Sequence, residues 1–186
     1  RQAGAMEIMG AYIRLQVSKP QSSAWMGAGN PVCQAAGSAD RGHVWSDLSK
    51  KCIATARRGT YGPVSFRTTS DELKARWFMP SLPEPGKSSV AQAARSLCHF
   101  AQMNLLDEER TQLVGKCDVI FCRNVVLYFD AAARKRVIDM FYEQLVPGGV
   151  LLLGHAESLL NVSTAFELLH LKEDLVYRKP IASSSK

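Results

Sequence analysis

The sequence predicts an α/β fold built on a mostly parallel sheet with helices on both faces, and three observations carry that prediction. Two short, continuous apolar runs, Asp118-Val119-Ile120-Phe121-Cys122 and Val150-Leu151-Leu152-Leu153-Gly154, have the composition of strands buried on both faces. Between them, Val137, Ile138, Phe141, Tyr142 and Leu145 recur at helical spacing behind Asp130, a residue type that caps helices. Strand, helix and strand at such lengths imply right-handed crossovers and a parallel sheet.

Taken in order, residues 1–42 are rich in Gly, Ala, Ser and Gln, hold Pro20 and Pro31, and show no sustained period beyond a short helix predicted around Ala5 to Leu15. They are left unassigned. From His43 the texture changes: His43-Val44-Trp45 reads as a strand, Ser46-Asp47 as a turn, and Leu48 to Arg58 as a helix ended by Gly59. Pro63, Pro80, Pro83, Pro85 and Gly86 predict a loop-rich connection over residues 63–96, with one short helix near Asp71 to Trp77. Ser96 to Met103 alternates like a strand. After the helix from Ala131 to Leu145, Pro147-Gly148-Gly149 is read as its stop, and the second buried run follows. Phe166 to Leu171 and Leu175 to Arg178, joined by Lys172-Glu173-Asp174, predict an antiparallel hairpin at the sheet edge. Residues 43–180 thus read as one domain and 181–186 as a disordered tail.

A chain of 186 residues, 46% hydrophobic and 22% charged, fits one domain with a sizeable core. The net charge of +6 would suit an acidic partner, but Arg57-Arg58, Arg134-Lys135-Arg136, Lys172 and Arg178-Lys179 are scattered. No nucleic-acid partner is expected, because the aromatic pairs Tyr128-Phe129 and Phe141-Tyr142 sit in apolar, core-like runs rather than in a basic stripe. Cys33, Cys52, Cys98, Cys117 and Cys122 form no CxxC pair, so no metal is expected, and reduced thiols point to the cytoplasm. No run reaches the roughly 20 apolar residues of a membrane span. The chain begins with Arg1 rather than methionine, and we read it as a truncated form of a longer protein.

In open parallel sheets ligands bind beyond the carboxyl ends of the strands, so the residues that follow each buried run are the ones to inspect. They are Asp47, then Asn104, then Arg123 and Asn124, then His155 and Glu157. A carboxylate at the end of a second strand can accept from the vicinal hydroxyls of a ribose; Asp47 reads equally well as a helix cap. Arg123 and Asn124 read either as functional or as partners of a helix end. Tyr128, on spacing alone, reads as a buried core tyrosine, and His155 as a core or loop histidine rather than a base. Gly27-Ala28-Gly29-Asn30 is only a fragment of a phosphate-binding pattern, without a strand before it.

A longer pattern is more specific. Phe121-Cys122-Arg123-Asn124-Val125-Val126-Leu127-Tyr128-Phe129-Asp130, then Leu145-Val146-Pro147-Gly148-Gly149, then Leu153-Gly154-His155-Ala156-Glu157-Ser158-Leu159 resemble the signature of the CheR-type protein-glutamate O-methyltransferases of chemotaxis. The likeness extends upstream through Asn104-Leu105-Leu106-Asp107, Ser46-Asp47-Leu48-Ser49 and Ala56-Arg57-Arg58-Gly59-Thr60-Tyr61, and covers residues 43 to 179. The resemblance implies a Rossmann-like sheet, S-adenosyl-L-methionine as cofactor, and methyl transfer to glutamate carboxylates on the cytoplasmic domain of methyl-accepting chemotaxis receptors, by a monomer. It implies that Asp47 binds the ribose hydroxyls, that Asn104 and Leu105 lie against the adenine, that Cys122 and Arg123 line the cofactor pocket, and that Tyr128 stands beside the transferring methyl. Residues 43–180 would be the C-terminal part of the catalytic domain. The family's first strand, with the glycine and paired-glutamate segment after it, is expected just before residue 43 and has no counterpart there, which leaves a catalytically silent, partner-binding remnant as the alternative reading.

Overall fold

The computed structural model describes residues 13–17 as backbone and residues 42–67, 69–154, 156–170 and 175–181 in full. In chain order the strands are β1 (Ile13–Val17), β2 (Gly42–Asp47), β3 (Thr60–Tyr61), β4 (Phe78–Pro80), β5 (Ser88–Val90), β6 (Cys98–Gln102), β7 (Cys117–Cys122), β8 (Leu145–Leu153), β9 (Glu167–His170) and β10 (Leu175–Arg178). The helices are α1 (Lys50–Arg58), α2 (Asp71–Trp77), α3 (Gln92–Arg95), α4 (Glu108–Gln112) and α5 (Ala131–Gln144), with 3-10 turns at Pro63–Phe66 and Val126–Tyr128. Among the described residues a seven-stranded sheet runs in the order β6-β2-β1-β7-β8-β10-β9. The pairings set β6, β2, β7, β8 and β9 in one direction and β1 and β10 in the other, so five of the seven strands run the same way, with parallel ladders at β2–β6 and β7–β8. The fold is the α/β class that the sequence predicts.

The core follows from the two apolar runs. In β7, Cys117, Val119, Ile120, Phe121 and Cys122 are all buried, the signature of a strand covered on both faces. Helix α5 turns Val137, Ile138 and, one turn later, Phe141 inward, and Gln144 continues the stripe by donating from Nε2 to the Thr111 carbonyl at 2.6 Å. Leu145 and Leu151 of β8 close this cluster. Asp130 caps α5 through Ala133 N at 2.7 Å, as its residue type predicts. Helix α1 ends on Gly59 in the left-handed conformation, φ 63°, where a side chain would be strained.

Several expectations are corrected. Of the helix predicted around Ala5 to Leu15, residues 5–12 lie outside the described residues, and Ile13 to Leu15 belong instead to β1, which pairs antiparallel with both β2 and β7 and fills the centre of the sheet. The predicted stop at Pro147-Gly148-Gly149 lies inside β8, which starts at Leu145 as soon as α5 ends. The strand absorbs the proline because its register against β7 shifts between Cys117 and Val119, where ladder hydrogen bonds are interrupted anyway. The loop-rich stretch 63–96 contributes β4 and β5, which with β3 make a separate antiparallel sheet in the order β3-β5-β4. Two- and three-residue strands broken by prolines carry no readable period. The C-terminal hairpin forms as expected from β9 and β10; its predicted turn, Lys172-Glu173-Asp174, lies outside the described residues, as do residues 182–186. No helix among the described residues is long and apolar enough to cross a membrane.

Phe141 is fully buried at the centre of this cluster, so Phe141→Ala is expected to cost roughly 3–5 kcal/mol, read as a lower midpoint in urea denaturation with little change of slope.

Candidate functional site

Strand register assembles the site. Ser46, Ile13, Cys122 and Leu153 lie in one row across β2, β1, β7 and β8, and Asp47 faces Gln102 across β2 and β6. The segments that leave β2, β6, β7 and β8 at their carboxyl ends therefore start from one edge of the sheet. They enclose a cavity of about 260 Å³ lined by Ser46, Asp47, Leu48, Met103, Asn104, Leu105, Asn124, Val125, Tyr128 and Phe129.

The polar groups are held by local hydrogen bonds. Asp47 Oδ1 accepts from Ser49 N at 2.6 Å, while Ser49 Oγ accepts from Cys52 N at 3.3 Å. Ser49 is thus the cap of α1; Asp47 orders the turn before it, and its Oδ2 has no hydrogen-bond partner among the described residues. Asn104 Oδ1 accepts from Leu106 N at 3.1 Å, an Asx turn that fixes the segment after β6, and Met103 N reaches back to the Asp47 carbonyl at 3.0 Å. Met103 and Leu105 are buried and floor the cavity with apolar surface.

The opposite wall is the segment 124–129 after β7. Glu157, buried beneath it, receives four backbone N–H groups: Oε2 accepts from Asn124 at 2.8 Å and Gly154 at 2.7 Å, Oε1 from Val125 at 2.8 Å and Leu127 at 3.3 Å. Asn124 takes φ 57°, a conformation in which successive N–H groups can converge on an anion. Gly154 leaves the needed space, since an added Cβ would lie 2.6 Å from Asn124 Oδ1 and 2.8 Å from Glu157 Oε2. From the other side, Arg134 of α5 donates to the carbonyls of Val126 (3.2 Å) and Phe129 (3.3 Å).

Of the residues singled out from sequence, Asp47, Asn104, Leu105 and Tyr128 line this one cavity. Tyr128 is 79% exposed, which corrects its reading as a core tyrosine: the turn at Val126–Tyr128 buries Val126 and sends Tyr128 outward. Cys122 is fully buried under the site; burial, then the nearby Glu157 carboxylate, pushes its thiol far above the usual range. Arg123 is half-buried directly after β7, and neither it nor Cys122 is among the residues lining the cavity. His155 and Gly27-Ala28-Gly29-Asn30 lie outside the described residues. No cluster of metal-ligating side chains occurs among the described residues. The partner of the loop, Glu157, carries no role in the sequence reading. The signal that could have found it is an acidic residue in the short segment after a buried strand, three positions beyond Gly154.

Residues 32–175 match the profile of the "CheR methyltransferase, SAM binding domain". The chain belongs to this family. It is 35% identical over 137 residues to "Chemotaxis protein methyltransferase 2" of Vibrio cholerae serotype O1, covering 74% of this chain and 47% of that protein. It is 34% identical over 136 residues to "Chemotaxis protein methyltransferase 1" of Pseudomonas aeruginosa, covering 73% and 48%. The CheR chain thus spans about half the length of the curated relatives it matches. Among solved structures it is similar to the N-methyltransferase NodS from Bradyrhizobium japonicum WM9, with a TM-score of 0.42 and 18% identity over 73% of this chain and 71% of that one.

The cofactor of this CheR domain is S-adenosylmethionine, and the cavity fits its nucleoside half. A carboxylate stands at one end, the floor is apolar, and about 260 Å³ is somewhat below the roughly 300 Å³ at which pockets for whole drug-sized ligands begin.

Burial, then the neighbouring Asp118 carboxylate, raises Cys117 from 9.0 to about 12, so the folded state keeps a proton that the unfolded chain loses. This contribution to stability is present below pH 9 and is lost as pH rises toward 12. Stability is therefore expected to fall across that window, and alkylation at neutral pH is expected to reach the half-buried Cys52 and Cys98 before Cys117 and Cys122, as mass spectrometry would show.

Proposed function

We propose that this chain carries out S-adenosylmethionine-dependent methyl transfer to glutamate side-chain carboxylates of chemoreceptors, giving glutamate methyl esters. The observation that carries the reading is the convergence of Asp47, Asn104, Leu105 and Tyr128 on one cavity at the carboxyl edge of the sheet. Family membership supports it. In this reading Asp47 Oδ2 accepts from the ribose hydroxyls, while Met103, Leu105, Val125 and Phe129 give the adenine an apolar slot with Asn104 at its rim. Cys122 supports the floor from beneath, Arg123 borders it, and the exposed Tyr128 stands at the mouth beside the reacting centre.

S-adenosylmethionine supplies, when bound, an electrophilic methyl on a sulfonium. The protein's own task is positioning. A glutamate side chain, with a pKa near 4.3 in water, is ionised at pH 7 and attacks without a base, so an ordered and partly desolvated site suffices. The absence of a titratable base from the lining residues other than Asp47 and Tyr128 agrees with this. The protein substrate would be the cytoplasmic domain of a chemoreceptor, met by a monomer in the cytoplasm.

One observation favours a second reading, a receptor- or signalling-partner-binding module without catalysis. Because β1 is antiparallel, Val17 at its carboxyl end faces Gly42, at the edge opposite the cavity, and the segment that follows β1 starts from there. The end of β1 that lies in the row beside the cavity is therefore its amino end, at Ile13.

Calorimetric titration with S-adenosylhomocysteine separates the two. Micromolar binding, together with labelling of a chemoreceptor fragment from S-adenosylmethionine, is expected; partner binding without either would select the second reading. Asp47→Ala removes one charged hydrogen-bond acceptor and is expected to weaken S-adenosylhomocysteine roughly 10- to 100-fold, from the ~1.5–3 kcal/mol of such bonds.

A further inference from the structure

Glu157 does not line the cavity, yet the cavity wall is built on it. Both oxygens of this buried carboxylate are used, each by two backbone N–H groups, from Asn124, Val125, Leu127 and Gly154. The first three belong to the segment that supplies Asn124, Val125, Tyr128 and Phe129 to the cavity. Its carbonyls at Val126 and Phe129 are taken by Arg134 from α5. The anion thus holds the donors of the loop and the cation its acceptors, and the two grips come from different elements, the segment after β8 and helix α5.

We infer that Glu157 is a positioning residue: with Arg134 as counterpart, it fixes the 124–129 loop in the one shape that completes the nucleoside cavity. The inference rests on the cofactor-binding reading for its consequence, while the grip itself is a property of the fold. An acceptor-only group is required there. A glutamine at 157 would turn its NH2 toward two N–H donors whichever way it flips, so two of the four hydrogen bonds would be lost and two buried donors left facing another donor. The charge matters as well as the shape, since carboxylate acceptors form the stronger bonds to backbone N–H.

The test compares Glu157→Gln with Val176→Ala, a destabilised control on β10, in calorimetry with S-adenosylhomocysteine and in amide hydrogen exchange. Both variants are expected to melt at lower temperature. Only Glu157→Gln is expected to raise the dissociation constant, by about tenfold or more, and to speed exchange at Asn124, Val125, Leu127 and Gly154. An unchanged dissociation constant, or the same rise in Val176→Ala, overturns the inference. Should Glu157→Gln fail to fold, Arg134→Gln loosens the same loop from its other face and is read by the same two measurements, with the same outcomes. Failure of the unmodified chain to bind S-adenosylhomocysteine would instead sink the cofactor-binding reading. Amide exchange would then decide the grip alone: faster exchange at those four amides supports it, and unchanged exchange overturns it.

Discussion

The site depends on the register of β7. By pairing β1 on one side and β8 on the other, this buried strand brings Cys122, Ile13 and Leu153 into one row with Ser46 of β2, so that the segments leaving β2, β7 and β8 start from a common edge. A slip of one residue would turn its side chains to the opposite faces and move Asn124 away from Asp47 and Asn104, with which it lines the cavity. Burial on both faces makes such a slip costly. The same apolar density that folds the domain therefore sets the distance between the two walls of the cavity.

Around that row the protein uses short-range polar contacts rather than packing to shape its loops. Ser49 caps α1 and leaves Asp47 to order the preceding turn; Asn104 closes an Asx turn; Glu157 and Arg134 hold the loop after β7 by its amides and carbonyls. Loops at a ligand site cannot be buried like strands, because their backbone groups need partners. Side-chain carboxylates, amides and guanidinium groups provide those partners while leaving the apolar surface of Met103 and Leu105 facing the cavity.

The direction of β1 decides which of its ends lies at the cavity. Strand β1 supplies both neighbours with hydrogen-bond partners, which keeps β2 and β7 from standing as open edges in the middle of the sheet. Run in reverse, however, it places its carboxyl end, Val17, at the edge away from the cavity. Sheet integrity asks only that the slot be filled, whereas a ligand site asks which end of the strand lies at the cavity.

The sequence by itself determined the class of fold and the places to look. Continuous apolar runs and a helix-spaced stripe between them specify buried strands and a crossover, and the rule that ligands sit beyond strand ends points to Asp47, Asn104 and Asn124. These signals are local and periodic, so they survive without knowledge of partners. Only the tertiary structure decided the rest. The exposure of Tyr128 depends on a turn that buries Val126 instead, the strand at Leu145 to Gly149 depends on a register shift against β7, and the small sheet of β3, β4 and β5 depends on pairing between segments too short to carry a period. The four hydrogen bonds of Glu157 are likewise invisible in the chain, because their donors, apart from Gly154, lie some 30 positions away and meet it only when β7 and β8 run side by side.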